Sequence, residues 1–438
     1  VITHGDHVIR IVEFSGIERS PIVGPRTDRT RSPTTQETRT TMLAAAPASP
    51  LAGIHVVDLG QYIAGPGAAM TLAELGASVV KIESPTGDQA RHIGRYGQAM
   101  VQACNRGKRS IALDLKSDDG REAALRLMGR ADVVIQNLRP GVVDKLGLGP
   151  RVVRDRFPRI VYLSISGFAS RGPSRDRPGY DIAAQAESGL MSVTGEPDRP
   201  PQKVGVPIVD AAAAQLGAQA VLAALYGREK SGVGATIETS LLEVAMHLQA
   251  TTWADYLSGG VEPTRMGDGQ PNNAPAAEVV PTRDGHVVLS AYAEEHWLRL
   301  CRVLGREELA HDARFSSNER RVANRSALRA VLRECLSDRS SDECVMLLAR
   351  NQIVAGAVRS YAQALNSPDM AASGLLVEAV GADGVRHRAL GLPYRIDDAA
   401  RPSLAAAPAC GADSDTLLAE VGYAAEQIRS LRSAGVVA

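Results

Sequence analysis

The sequence predicts an α/β protein with a largely parallel, helix-covered sheet, followed by a smaller α+β portion. Three observations predict it. Strand-like runs alternate with helix-like runs from Leu51 onward, the order that gives a helix-covered parallel sheet. A long Gly/Pro/Asn-rich stretch, GGVEPTRMGDGQPNNAPAAEVVPTRDG, then interrupts that rhythm. Beyond it, HVVLSA and EEHWLRLCRVLG start a smaller pattern of strand and helix. In chain order, IHVVDLG reads as a strand, AGPGAAMTLAELGA as a helix opened by small residues, and SVVKIE as a second strand, a βαβ unit. SIALDLKS, GREAALRLMGR and ADVVIQN repeat the theme, and RIVYLSISGF adds a strand before glycines and prolines thicken. A long alanine-rich helix follows from Ala211, then a strand–helix pair in GATIETSLLEVAMHLQATTWADYL. Polar helical segments fill 318–350, where NERRVANRSALRAVLRECL, with charge at helical spacing, reads as a solvated connecting helix, and TLLAEVGYAAEQIRSL reads as a closing helix.

Length and composition fit a soluble globular chain. The 438 residues have room for about two or three domains. Apolar residues make up 44% and charged residues 22%, and the 49 basic residues equal the 49 acidic ones. That balance gives no overall field to recruit nucleic acid or anionic membrane. Five scattered cysteines without a C-x-x-C pair argue against a zinc site or a disulfide framework, and suit a reducing cytoplasm. The weakly polar run Ala211–Leu225 is read as a buried helix, too short to span a bilayer. Residues 1–41, Arg/Thr-rich and without apolar period, are expected to be disordered or to precede the natural start at Met42.

Most recognisable chemistries fail on residue type or spacing. The glycines of AGPGAA do not spell G-x-G-x-x-G, which leaves Glu83 at the end of the next strand as a weak echo of a dinucleotide site. No histidine pair has metal-ligand spacing, His55 is read as a core-strand residue, and no serine sits in a G-x-S-x-G elbow. Arg106, Lys108, Arg109, Lys116, Arg139 and Lys145 flank predicted strands, where loops of a parallel sheet gather anionic ligands. Elimination leaves carboxylates, notably Asp181 and Asp210. Asp210 stands alone between VGVPIV and the long helix, where two roles compete: N-cap of that helix, or nucleophile.

Five ordered motifs then carry a resemblance. LAGIHVVDLGQYIAGPGAAMTLAELGASVVKIE, NRGKRSIALDLK, DVVIQNLRPGVVDKLG, RPGYDIAAQAESGLMSVTGEP and VGVPIVD are similar to class III CoA-transferases, a group that includes formyl-CoA transferase, carnitine CoA-transferase and α-methylacyl-CoA racemase. The resemblance implies a homodimer of interlocked rings and a Rossmann-like large domain made from both chain ends, with expected boundaries of 42–232 for its first part, 233–354 for linkers and small domain, and 355–438 for the return to the large domain. It also implies acyl-CoA and carboxylic acid substrates with no tightly bound cofactor or metal. It implies that Asp210 is the nucleophile, forming an aspartyl anhydride and then an aspartyl-CoA thioester. A carboxylate at a helix N-terminus is expected to stay ionised, since the dipole favours its charge. Oxyanion donors are expected from a glycine loop, here Gly267 to Asn273.

The same resemblance assigns coenzyme A contacts to Ile63, Ala64, Leu113, Lys116, Asn137, Leu138, Arg139, Lys145 and Asp181. Two positions depart from formyl-CoA transferase. Ile63 replaces a glutamine that helps hold the acyl carboxylate, which disfavours a very small or oxalate-like substrate. Ser84 replaces a nucleotide-contacting arginine, and Arg91 is the substitute the sequence offers. Family racemases place a histidine before Asp181, whereas this chain has Tyr180, and a phenol is a poor base at neutral pH. The expected activity is therefore CoA transfer in the cytoplasm, with racemase and non-catalytic CoA-ester binding as alternatives.

Overall fold

A computed structural model describes residues 49–397 and 404–438. The expectation for residues 1–41 lies outside the described residues. Six strands, β1 (His55–Asp58), β2 (Ser78–Glu83), β3 (Arg109–Ala112), β4 (Val133–Gln136), β5 (Val161–Ser166) and β6 (Thr236–Ser240), form one sheet in the order β3-β2-β1-β4-β5-β6. Every pairing in it is parallel. The order runs one way from β1 through β2 to β3, then jumps to β4 on the other side. That reversal opens a crevice at the C-terminal ends of β1 and β4, where the turns leaving the two strands diverge.

Helices cover both faces because residues alternate between two cores. Val56, Val79, Val133, Ile135, Leu163 and Ile165 face helix α1 (Ala64–Glu74) and the long helix Ile208–Ser231. Val57, Val80, Ile111, Val134 and Tyr162 face helix α3 (Asp118–Met128) and the C-terminal helices Ser414–Glu420 and Ala425–Ser433. Helix α2 (Gly94–Asn105) lies between α1 and the first turn of chain after β2. The start of α3 is written locally: Ser117 accepts from the Gly120 amide at 3.0 Å, and Asp118 and Asp119 sit in the positive first turn.

The long helix has 24 residues, more than the alanine-rich run suggests and enough by length and apolarity to cross a membrane. Here its Val209, Ala213, Val221 and Leu225 are buried in the sheet's first core. A β-carbon on Gly67 would come within 2.9 Å of the Ala214 methyl, so glycine lets α1 lie close against it.

The smaller part contains an antiparallel sheet of β7 (Glu278–Pro281), β8 (His286–Ser290) and β9 (Val354–Ala357). Trp297 and Phe315 centre its own core. The helical segments over 318–350 are present, but they are not a solvated connector. They are Asn318–Ala323, Arg325–Leu336 and Ser341–Arg350, and Leu328, Leu332, Leu336 and Leu348 are buried over Trp297. Charge at helical spacing marked the outer face and hid an apolar stripe on the inner one. A hairpin, β10 (Leu376–Val380) with β11 (Arg386–Leu390), follows.

Candidate active site

The crevice between β1 and β4 holds a cleft of about 310 Å3, lined by the Gln61–Ala64 turn, Asn137–Arg139, the end of β5 at Ser166, Pro178–Tyr180 and Asp210. The turn after β1 is held in place almost atom by atom. Asp58 Oδ1 accepts from the Gly60 amide at 2.7 Å, and Lys81 Nζ donates to the Gly60 carbonyl at 2.6 Å. Asn137 bonds both polar groups of Gln61, at 2.8 and 2.9 Å, and Asp88 Oδ1 accepts from the Tyr62 amide at 3.2 Å. Tyr62 sits at φ 63°, a strained setting for a bulky residue, which these bonds enforce. Glycine is required at Gly65, where a β-carbon would press within 2.9 Å of Asn137 Oδ1. The small residues of AGPGAA thus serve close packing of a turn.

Beneath the turn lies a buried charge network. Lys108 Nζ meets Asp58 Oδ2 at 2.8 Å, Pro66 O at 2.8 Å and Asn105 Oδ1 at 2.9 Å, and Lys81 pairs with Asp88 at 3.0 Å. Burial lowers the Lys108 pKa against the pull of Asp58. The sequence-based grouping of cations is therefore split by the structure. Lys108 is sequestered, Arg106 is buried against Glu74 at 2.7 Å, and Arg109 faces away to Glu420 at 2.6 Å. Arg91 does not replace the arginine missing at Ser84, because its guanidinium forks onto the Glu83 carboxylate at 2.7 and 2.8 Å. Glu83, so engaged and bonded also by Ser110, is not free for a ribose. His55 is exposed at the start of β1 rather than in the core.

The expected contact residues divide into three groups. Ile63, Ala64, Asn137, Leu138 and Arg139 line the Asp210 cleft. Leu113 and Lys116 line a neighbouring groove of about 240 Å3 with Ser84, and Gln61, Leu138 and Val142 border both spaces. Lys145 is exposed on the short helix Val142–Lys145 beside them, and Asp181 is buried behind the cleft, outside its lining. Gly267 to Asn273 does not line the Asp210 cleft within this chain. Arg325 holds that loop instead, donating to the Asn273 carbonyl at 2.9 Å and to that of Gln270.

Asp210 is not the N-cap. It is the third residue of its helix, Pro207 occupies the cap position, and no side chain of the helix caps it. The Val209 and Asp210 amides donate to Asp181 Oδ2 at 2.7 and 3.1 Å. Asp210 is half-buried, and burial together with the nearby charge of Asp181 pushes its carboxyl up to about 7. Removal from water and a like charge thus act against the ionised form that the helix dipole favours.

A family model described as CoA-transferase family III matches residues 51–414. The chain belongs to CoA-transferase family III. Among its relatives in that family, a probable fatty acyl-CoA transferase of Mycobacterium tuberculosis is 36% identical over 77% of this chain and 89% of its own length. The succinate–glutarate CoA-transferase of Agrobacterium fabrum is 37% identical over 76% of this chain and 86% of its own. A crystal structure of a CAIB/BAIF family protein from Brucella suis superposes with a TM-score of 0.77 at 36% identity, over 86% of this chain and all of that one.

Sequence reasoning passed over Tyr62, Gln89 and Arg177, all of which line the cleft of this CoA-transferase family member. Tyr62 Oη donates to Gln89 Oε1 at 2.6 Å, and the Tyr62 and Tyr180 rings meet edge to face at 5.9 Å. Asp88 was legible as a turn residue in GDQA, where it accepts from the Ala90 amide at 2.9 Å, but its second bond to Tyr62 was not.

Proposed function

We propose that this member of CoA-transferase family III moves CoA from an acyl-CoA thioester to a free carboxylic acid, with Asp210 as nucleophile. One observation carries the reading: the Asp210 carboxylate opens onto the cleft at the β1/β4 crevice instead of capping its helix. In its ionised form Asp210 attacks the thioester carbonyl and expels CoA thiolate, leaving an acyl–aspartyl anhydride. The thiolate attacks the Asp210 carbonyl of that anhydride and releases the donor acid as a carboxylate, giving an aspartyl-CoA thioester. The acceptor carboxylate then attacks the thioester, expelling CoA thiolate and forming a second anhydride. Attack of the thiolate on its acyl carbonyl yields the new acyl-CoA and frees Asp210. No proton and no nucleotide triphosphate is consumed.

The two neighbouring spaces support a bound CoA whose nucleotide end lies near Lys116 and whose thioester lies at Asp210, with Arg139 and Lys145 toward the phosphates. Helix α1 has Ile63 at its cap position and no side-chain cap, so its first amides supply donors for a tetrahedral oxyanion more directly than Gly267 to Asn273 does within one chain. The family reading also includes a cytoplasmic homodimer of interlocked chains, with a large domain closed by the C-terminal residues. A relative named for succinate and glutarate makes short dicarboxylic acids the first acceptors to try.

The test is trapping. Wild type incubated with acyl-CoA and quenched with hydroxylamine or borohydride carries a modification on the peptide containing Asp210, and Asp210→Asn carries none. An unmodified peptide in a wild type that transfers CoA would overturn the covalent route. The racemase alternative is read by α-deuterium exchange into a 2-methylacyl-CoA in heavy water. Tyr180, 55% exposed, stands where family racemases have histidine, and little exchange is expected.

A further inference from the structure

An aspartate in the first turn of a helix ordinarily turns back to bond the free amides there, which would point the Asp210 carboxylate away from substrate. Four amides open the long helix. Ile208 N donates to Val206 O at 2.8 Å and Ala211 N to Pro207 O at 3.1 Å. The remaining two, Val209 N and Asp210 N, are both taken by one oxygen of Asp181, a residue 29 positions earlier in the chain. The other oxygen of Asp181 accepts from Gln185 Nε2, and Gln185 Oε1 accepts from Val204 N at 2.9 Å on the segment leading into the long helix. Asp181 is 8% exposed and Gln185 is fully buried. A carboxylate from a neighbouring helix thus caps the nucleophile's helix from outside.

We propose that Asp181, with Gln185 behind it, is a positioning residue for Asp210 rather than a coenzyme contact: it occupies the helix amides so that the Asp210 carboxylate stays turned to the cleft, and it places a fixed negative charge beside it. The inference rests on the reading of Asp210 as nucleophile. The charge has a kinetic consequence, because a nearby anion makes Asp210 a more basic and more nucleophilic carboxylate. The other titratable or charged groups sharing the cleft are Tyr62, Arg139, Arg177 and Tyr180. Arg177 is paired with Glu187 at 2.6 Å and lies over the Phe168 ring, and Arg139 is exposed at the rim. Burial is the larger cause of the Asp210 shift and Asp181 the second, so removing the Asp181 charge reverses a part of it.

The experiment compares Asp181→Asn and Asp181→Ala through the pH dependence of kcat/KM for acyl-CoA and direct titration with CoA. Asparagine keeps an acceptor for the two amides and removes the charge. Its acid limb is expected to move down by about half to one pH unit, with CoA affinity unchanged within roughly twofold. Alanine removes the acceptor as well, and kcat is expected to fall at least ~100-fold as Asp210 swings back to its own helix. An Asp181→Asn profile superimposable on wild type, or a large loss of CoA affinity with kcat intact, would overturn the proposal and return Asp181 to coenzyme binding. Asp181→Asn decides the matter by itself if the alanine variant does not fold. Full transfer by Asp210→Asn would instead remove the nucleophile reading, which the Asp181 profiles do not test.

Discussion

At the scale of single residues, Asp210 combines two properties that the chemistry needs together. It is withdrawn enough from water to be a better nucleophile than an ordinary carboxylate, and it is free of the helix amides that would otherwise hold it. Asp210→Asn is expected to lower transfer by about 1,000-fold or more, measured by mass spectrometry of product acyl-CoA. The raised carboxyl also fixes the sign of two pH effects. With Asp210 as the proposed nucleophile, transfer is expected to rise as pH passes through about 7, because the ionised form attacks. Stability behaves oppositely, since the folded chain holds a proton that the unfolded chain releases near pH 4. The Asp210 contribution therefore declines between about 4 and about 7 and is flat above. Urea midpoints at pH 5 and pH 8 are expected to converge in Asp210→Asn relative to wild type.

At the scale of elements, the turn after β1 shows how strand ends become a site. Side chains of β1, β2 and the β4 turn, namely Asp58, Lys81 and Asn137, bond the backbone of Gly60 and Gln61, while Asp88 after β2 bonds Tyr62. Paired charges occupy the interior beneath, and removing Lys108 leaves the buried Asp58 carboxylate with only the more distant Lys81, at 4.0 Å, as its cation. Lys108→Met is expected to cost about 3–5 kcal/mol by urea unfolding, with Asp58→Asn recovering part of it in the double variant. A loss under 1 kcal/mol for the single change would mean that Asp58 finds water or another cation. None of this was readable from VVDLGQYIAGPG, which offered glycines and an aspartate without saying what they approach.

At the scale of the whole molecule, a single chain leaves large apolar side chains in solvent, including Tyr361 at 88%, Leu257 at 76% and Val261 at 75%. Such exposure fits the proposed homodimer, and native mass spectrometry is expected to give two chains per particle, with a stable monomer counting against it. A chain beginning at Met42 is expected to match the full-length protein in thermal midpoint and specific activity, because the Arg/Thr-rich leader has little apolar surface to bury. A drop of several degrees, measured by scanning calorimetry, would assign the leader a structural role.

The sequence by itself determined the parallel α/β core, since its strands and helices announce themselves through local period and turn residues: IHVVDLG became β1, SVVKIE β2, ADVVIQN β4. It also singled out Asp210, by its isolation before a long helix, and the motifs that carry the family. What it could not determine was which polar groups meet. Lys108 and Lys116 look alike in NRGKRSIALDLKS, yet one is sealed against Asp58 and the other borders a groove. Asp181 and Asp210 looked like two members of one site, and only tertiary packing made one the cap of the other's helix. The physical reason is range: propensity and period act over a few residues, whereas partnership and burial depend on segments that the fold brings together from 29 to more than 300 positions apart.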